Sequence, residues 1–276
     1  MIDEAIEVKE NYDKNPQKEW DRLEGFHYEF EITKFFLQKY LKGKTVLDIG
    51  GGPGRYSIYL SKLGYDVTLV DLSEGNIEFL KKKLKELKIN NIKAYQCDAR
   101  DLSKLNLGKF DNILLMGPLY HLFKESDREK CVLEAKKLLK ENGLLFASFI
   151  SINAGLNYYL ENKPEDILNE KELDLFDMME KDLNWSGNAF TKCTFINNIL
   201  VDDFFEKLGF EKITLFGQEG VTGIRLSYIE QSNEKVRKFY LDLSLRLCEN
   251  PQYFTYSNHI MYIGKNLNNY KLIINN

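Results

Sequence analysis

Apolar and polar positions along this chain follow two rhythms, and the switches between them mark the elements. From Tyr12 to Leu41 the apolar residues recur near helical spacing, and the stretch GFHYEFEITKFFLQKYL sets Phe26, Phe30, Phe35 and Phe36 towards a core. TVLDIG then reads as a short buried strand, Gly54 to Leu63 as a helix stopped near Gly64, and DVTLVD as a second strand. The alternation continues with a lysine-rich helix at about Glu74 to Leu87, strands at NIKAYQ and FDNILLM, a helix at about Ser126 to Lys140, and a strand at GLLFASFI. Strands that alternate with helices of this length predict a parallel sheet covered on both faces.

The rhythm breaks at Ser151. From there to about Phe195 the chain is rich in Asn, Asp, Glu and aromatic residues, too long for an ordinary connection, and it reads as an inserted cap. Regular patterning resumes with a helix at about Asn198 to Leu208, a strand at EKITLFG, a helix between Asn233 and Leu247, and a final strand at HIMYIGK. The expected organisation is a helical arm over 1–43, an α/β core over 44–150, a cap over 151–195, and completion of the core sheet over 196–276 with a second insertion at 217–256.

Composition narrows the classes of function. Lysine and arginine total 38 against 42 aspartates and glutamates, a formal charge of -4, so the balance points to a small-molecule partner and makes a nucleic-acid partner unlikely. The first residues, MIDEAIEVKE, lack the basic and apolar regions of a secretory signal, and no apolar run reaches a membrane span; the expectation is a cytoplasmic protein, monomeric or homodimeric. Cys97, Cys131, Cys193 and Cys248 and the histidines His27, His121 and His259 are scattered, which predicts reduced thiols and no metal centre.

The candidate chemistry centres on the turn after the first strand. Gly50 to Gly54 match neither the dinucleotide spacing G-x-G-x-x-G nor a phosphate loop, and Pro53 removes one of the backbone donors an anion would use. Such a turn suits a neutral or cationic neighbour approaching bare backbone. Asp48 precedes the bend and could meet an ammonium group. Asp71 lies 21 residues after Gly50, at the spacing from which a carboxylate accepts ribose hydroxyls, and Asp98 follows the third strand, placed to accept from an exocyclic amine. An amine, a ribose and an adenine across adjacent strand ends describe a nucleoside with an amino-acid tail.

VLDIGGGPG followed by VTLVD resembles the class I S-adenosylmethionine-dependent methyltransferases over most of Lys44 to Arg225 and again over Ser257 to Lys265. The resemblance implies a Rossmann-like seven-stranded sheet of order 3-2-1-4-5-7-6 with the last strand antiparallel, helices on both faces, and insertions folding over the cofactor, S-adenosylmethionine. It implies cofactor contacts at Asp48, Gly50, Gly51, Gly52 and Gly54, at Asp71 and Leu72, at Asp98 and Ala99, and at Met116. The GPLYHL segment, with YDK, EWDRL, EGVTG and SNHIMYIGK, is similar to a bacterial subset of the family, which implies a small-molecule O, N or S acceptor and an arm that closes through Tyr12, Trp20 and Arg22.

RNA or protein methylation, and a non-catalytic module that binds S-adenosylmethionine, are the alternatives. The N/D-P-P-Y/F signature of amino-methylating nucleic-acid enzymes is missing, since the chain has MGPL at Met116 to Leu119, and no cysteine follows a proline. His121, just past the fourth strand, is the candidate general base, with structural or substrate-orienting roles as alternatives, and Tyr120 is a candidate orienting residue. His259 belongs at the same edge, with Ser257 or a backbone group as its expected partner. Tyr158, Tyr159, Phe176, Trp185 and Phe190 of the cap could line a pocket or form the cap's own core. Asp174, Asp177 and Glu180 share a helix face that is either solvated or cation-attracting.

Overall fold

In the computed structural model, which describes residues 4–25, 27–169 and 172–267, the N-terminal region is three helices: α1 Glu4–Lys14, α2 Pro16–Gly25 and α3 His27–Tyr40. The single helical span expected from Tyr12 to Leu41 is broken at Asn15, and Pro16 opens α2, where its fixed φ and missing N–H do no harm. Phe26 lies outside the described residues. There follow β1 Thr45–Ile49, α4 Arg55–Lys62, β2 Asp66–Asp71, α5 Glu74–Glu86, β3 Ile92–Gln96, β4 Phe110–Leu115, α6 Glu125–Leu138 and β5 Leu139–Ser151. The second half runs α7 Asn153–Asn162, α8 Leu173–Glu180, β6 Trp185–Asn188, β7 Lys192–Ile196, α9 Val201–Lys207, β8 Phe210–Gly217, α10 Leu226–Glu230, α11 Glu234–Leu247 and β9 His259–Asn266.

β1 pairs in parallel with β2 and β4, β2 with β3, and β4 with β5. β9 runs antiparallel between β5 and β8. The order β3-β2-β1-β4-β5-β9-β8 is the seven-stranded arrangement expected, with β8 and β9 as its sixth and seventh strands. The region read as an irregular cap holds more sheet than its sequence suggested. β6 and β7 form a hairpin, and β7 pairs with the far end of β5 through Ile150↔Phe195 and Ser151↔Ile196, which extends the sheet to nine strands.

Successive residues of the strands feed opposite faces. Leu47, Ile49, Ile113, Leu115, Leu145 and Ala147 pack under α6 and α9, where the Tyr262 ring stacks on Phe205 at 4.0 Å. Val46, Leu114, Leu144 and Phe146 pack under α3, α4 and α5, where Phe36 stacks on Phe216 at 3.7 Å. The cap has its own small core of Ile150, Ile152, Leu175, Cys193 and Phe195, with Tyr159 and Trp185 against it. The four cysteines are free thiols, and all but Cys97 are buried. Among the described residues no helix is long and apolar enough to cross a membrane.

With β1 to β5 parallel, their carboxyl ends open on one edge of the sheet. The glycine turn, the end of β2, the segments after β3 and β4, and the start of the antiparallel β9 all meet there.

Candidate active site

The turn after β1 is shaped by backbone that a side chain would obstruct. Gly50 has φ +70°, and a Cβ on it would lie 2.4 Å from Pro118 Cδ, so the loop after β4 rests directly on the turn. The Gly52 amide donates to Asp71 Oδ2 at 2.8 Å. Asp71 Oδ1 accepts from the Ser73 amide at 2.8 Å and from Asn76 Nδ2 at 3.3 Å. Asp71 therefore ties the glycine turn to the N-terminus of α5 while standing in the wall of the pocket. Burial raises the pKa of its carboxyl against these bonds. Asp48, 1% exposed, accepts from Ser57 Oγ at 2.7 Å. Burial pushes its carboxyl up to about 7, opposed by the Ser57 bond and helped by the charge of Asp71.

The pocket on this edge is lined by Asp48, Gly50, Gly51, Gly52, Asp71, Leu72, Asp98, Ala99 and Met116, nearly all the expected cofactor positions. Two fall elsewhere. Gly54 is packed beneath, where a Cβ would meet Leu80 Cδ1 at 2.6 Å. Trp20 packs its ring against Phe79 at 5.8 Å with the Arg55 guanidinium 4.8 Å above it, behind the wall. Asp98 also differs in detail, because Arg100 grips its carboxylate, with Nη2 to Oδ2 at 2.7 Å and the backbone amide to Oδ1 at 2.8 Å.

The arm forms the roof. Asp13 accepts from Ser73 Oγ at 2.7 Å and from the Gly75 amide at 3.1 Å, and Lys192 Nζ meets Glu7 at 3.1 Å, so α1 is fastened to α5 on one side and to β7 on the other. Arg22 reaches into the pocket; its Nε donates to Glu19 Oε1 at 2.8 Å and its Nη1 stands 3.8 Å from Glu29 Oε2. Burial opposes its charge, but Glu29 and Glu19 more than compensate and raise its pKa.

His121 and Tyr120 both line the pocket. His121 Nδ1 lies 3.0 Å from the Lys192 carbonyl, which only accepts, so this nitrogen carries the proton. Nε2 is then the acceptor and takes the Tyr12 hydroxyl at 3.0 Å. Burial lowers the imidazole to about 4, partly offset by the Lys192 bond and reinforced by Arg22, so the ring is neutral near pH 7. His121, the expected base, thus has its acceptor nitrogen engaged by the Tyr12 hydroxyl. Tyr120 Oη donates to the Met116 carbonyl at 3.3 Å, which fixes its ring in the pocket.

The inner wall holds residues the sequence reading passed over, Glu29, Tyr56, Ser148 and Gln218, beside His259, which is bonded in turn to Glu219. The expected Ser257 partner of His259 is instead bonded to the Gly220 carbonyl at 2.9 Å. The partner of His259 is Glu219, whose Oε1 meets Nδ1 at 2.6 Å and whose Oε2 accepts the His259 amide at 3.0 Å. Against the cost of burial, Glu219 and Glu29 raise the His259 pKa. One oxygen or nitrogen from each of Glu29, Glu219 and His259 lies within 4.8 Å of the others, a set able to meet a cation. The available signal was a glutamate at position 29 on the face of α3 that also buries Ile32, Thr33, Phe36 and Leu37.

The cap aromatics mostly serve the cap. Tyr159 packs on Phe176 at 5.7 Å and Trp185 on Phe195 at 5.0 Å, while Tyr158 is exposed; none of these lines the pocket. Phe190 comes nearest, 6.2 Å from His121. Asp174, Asp177 and Glu180 lie on the exposed face of α8.

Residues 46–143 match the model of a methyltransferase domain. The glycine/sarcosine N-methyltransferase of Parasynechococcus marenigrum is 31% identical over 150 residues, covering 52% of this chain and 52% of that protein. The ubiquinone biosynthesis O-methyltransferase of Coxiella burnetii is 36% identical over 120 residues, 44% of this chain and 48% of that protein. The chain thus spans about half the length of the curated relatives it matches. Among solved structures, magnesium protoporphyrin IX methyltransferase from Synechocystis PCC 6803 with bound SAM superposes with a TM-score of 0.57 at 13% identity, over 97% of this chain and 99% of that one, a likeness of fold.

Proposed function

We propose that this chain is a class I S-adenosylmethionine-dependent methyltransferase that moves a methyl group to a nitrogen, oxygen or sulfur nucleophile of a small molecule. The observation that carries the reading is the pocket across the ends of β1 to β4, where bare glycine backbone, Asp71 and Asp98 stand in one wall under a roof made by the arm. The residues present fit the cofactor. All of them line one pocket, in which Gly50 to Gly52 would leave room for its methionine part, Asp71 and Leu72 would meet the ribose, Asp98 with Ala99 the adenine, and Arg22 the carboxylate, with Tyr12 closing over it. On this reading the arm within 1–43 serves as the roof, 44–150 as the cofactor half and 151–195 as the cap, and the chain from 196 completes the sheet through β8 and β9 with a second insertion at 217–256.

When bound, S-adenosylmethionine supplies an electrophilic methyl group on a sulfonium. The chain's own part is to hold the acceptor in line, exclude water and take up a proton where the acceptor has one to lose. Tyr12, held by neutral His121, presents oxygen lone pairs to the pocket because its proton points at Nε2. Tyr120 orients the acceptor, and His121 acts through Tyr12. The names of the two curated relatives, which concern glycine or sarcosine and ubiquinone biosynthesis, support a metabolite acceptor, as does the closed roof.

Incubation with methyl-labelled S-adenosylmethionine and a fractionated cell extract tests this. The expected outcome is label in the small-molecule fraction. Label confined to RNA or protein would move the function to a macromolecular acceptor, and cofactor binding without any label would leave a binding module.

A further inference from the structure

The inner wall of the pocket carries an unbalanced charge. Glu19 and Arg22 pair at 2.8 Å, and Glu219 and His259 pair at 2.6 Å. Beside these two pairs stands Glu29 of α3, whose nearest cation is the same Arg22. Its Oε2 is 3.8 Å from Arg22 Nη1, beyond hydrogen-bonding distance, and accepts no hydrogen bond. Glu29 is only 6% exposed and lines the same pocket as the glycine turn and Met116. A buried carboxylate oxygen without a donor is expensive. A ligand that brings both an N–H and a positive charge removes that cost.

We propose that this inner chamber binds the protonated amine of the methyl acceptor, with Glu29 as the partner of the ammonium group, so that the substrate class is a cationic amine. The inference rests on the methyl-transfer reading above. Over Glu19, Arg22, Glu29, Glu219 and His259 the charges sum to one negative unit when Glu29 is ionised, which one ammonium neutralises. A divalent metal on Glu29, Glu219 and His259 would bring its double charge close to Arg22. The charge count therefore favours the amine. The groups that face Glu29 are Arg22 and Glu19 of α2, Tyr56 of α4, Glu219 after β8 and His259 of β9, and its burial pushes its carboxyl above the usual range. That makes Glu29 a competent proton acceptor. The ammonium gives one proton to Glu29 Oε2, and the nitrogen lone pair so released forms the new N–C bond. The C–S bond breaks with its electrons going to sulfur, leaving a methylated ammonium and a neutral thioether. The proton on Glu29 returns to solvent when the site opens.

The test uses the whole chain and a panel of alkyl, aralkyl and amino-acid primary amines, each paired with its isosteric alcohol. Binding to protein saturated with S-adenosylhomocysteine is measured by calorimetry, and methyl transfer by label. The expected result is that at least one amine binds and is methylated in preference to its alcohol. Glu29→Gln should weaken that amine at least tenfold while leaving S-adenosylhomocysteine affinity within about twofold. Glu29→Asp, which keeps the charge, should restore part of the amine binding and guards against a variant that fails to fold. Methylation of alcohols or thiols, or no preference for amines, overturns the proposal while leaving the methyl-transfer reading intact. A tenfold loss of S-adenosylhomocysteine in Glu29→Gln overturns it by assigning Glu29 to the cofactor's own ammonium. Tight Mn²⁺ binding abolished by Glu29→Gln overturns it in favour of a metal. Failure of the unaltered protein to bind S-adenosylhomocysteine removes the methyl-transfer reading and this inference together.

Discussion

Asp48 sits beneath the glycine turn with a single hydroxyl, that of Ser57, bonded to its carboxylate. In an unfolded chain it titrates near 3.8, and in the fold near 7. Because the folded pKa is the higher one, the fold binds the proton more tightly, and stability is lost as pH rises from about 4 to about 7. The gap of roughly three pH units corresponds to about 4 kcal/mol at most. Asp48→Asn should remove this dependence. Urea unfolding at pH 4, 5.5 and 7 should show the variant gaining on the unaltered protein at each step, and a constant difference would mean that Asp48 is ionised in the fold. His121 behaves oppositely. Its folded value near 4 keeps it neutral throughout the usual assay range, so no ionisation of His121 should appear in the pH–rate profile above about pH 5.5. Because Tyr12 and His121 form one hydrogen-bonded unit, Tyr12→Phe and His121→Gln should each lower turnover by roughly 10 to 100-fold. The double variant should be little worse than either single one, whereas multiplied losses would show two separate roles.

At the scale of elements, α3 is held to the sheet by Phe36 stacked on Phe216, and a buried ring removed from such a contact costs about 3 to 5 kcal/mol. Phe216→Ala should lower the unfolding free energy by that amount, and a loss under 1 kcal/mol would show that the helix is anchored elsewhere. α1 is fastened differently, by the polar bonds of Asp13 to Ser73 and Gly75. Asp13→Ala should speed amide exchange in α1 without a comparable fall in global stability.

These two cases bear on what the sequence made legible. The β1–α4–β2 unit could be read because two apolar runs flank a glycine cluster, and Asp71 could be placed from spacing alone. The β6–β7 hairpin could not. WSGNAFTKCTFI holds Gly, Asn and Ser within its strands, and its pairing with β5 is a long-range contact that no local pattern records. The same holds for Glu29 and Glu219, which are 190 positions apart and meet only because β9 returns between β5 and β8. The partners of Asp98 and His121 were hidden for a related reason. Arg100 is a neighbour whose fork needs coordinates to see, and the Lys192 carbonyl belongs to the hairpin itself.

At the scale of the whole molecule, the parallel strands bring the glycine turn, Asp71 and Asp98 to one edge, and the arm and the return of β9 close a chamber over them. The central claim is that this edge holds one S-adenosylmethionine per chain. Calorimetric titration with S-adenosylhomocysteine measures it most directly, with Asp71→Ala as the comparison and a melting curve to confirm that the variant is folded. One site per chain is expected, with at least a tenfold loss of affinity in Asp71→Ala. No binding to the unaltered protein, or equal binding by both, would contradict it.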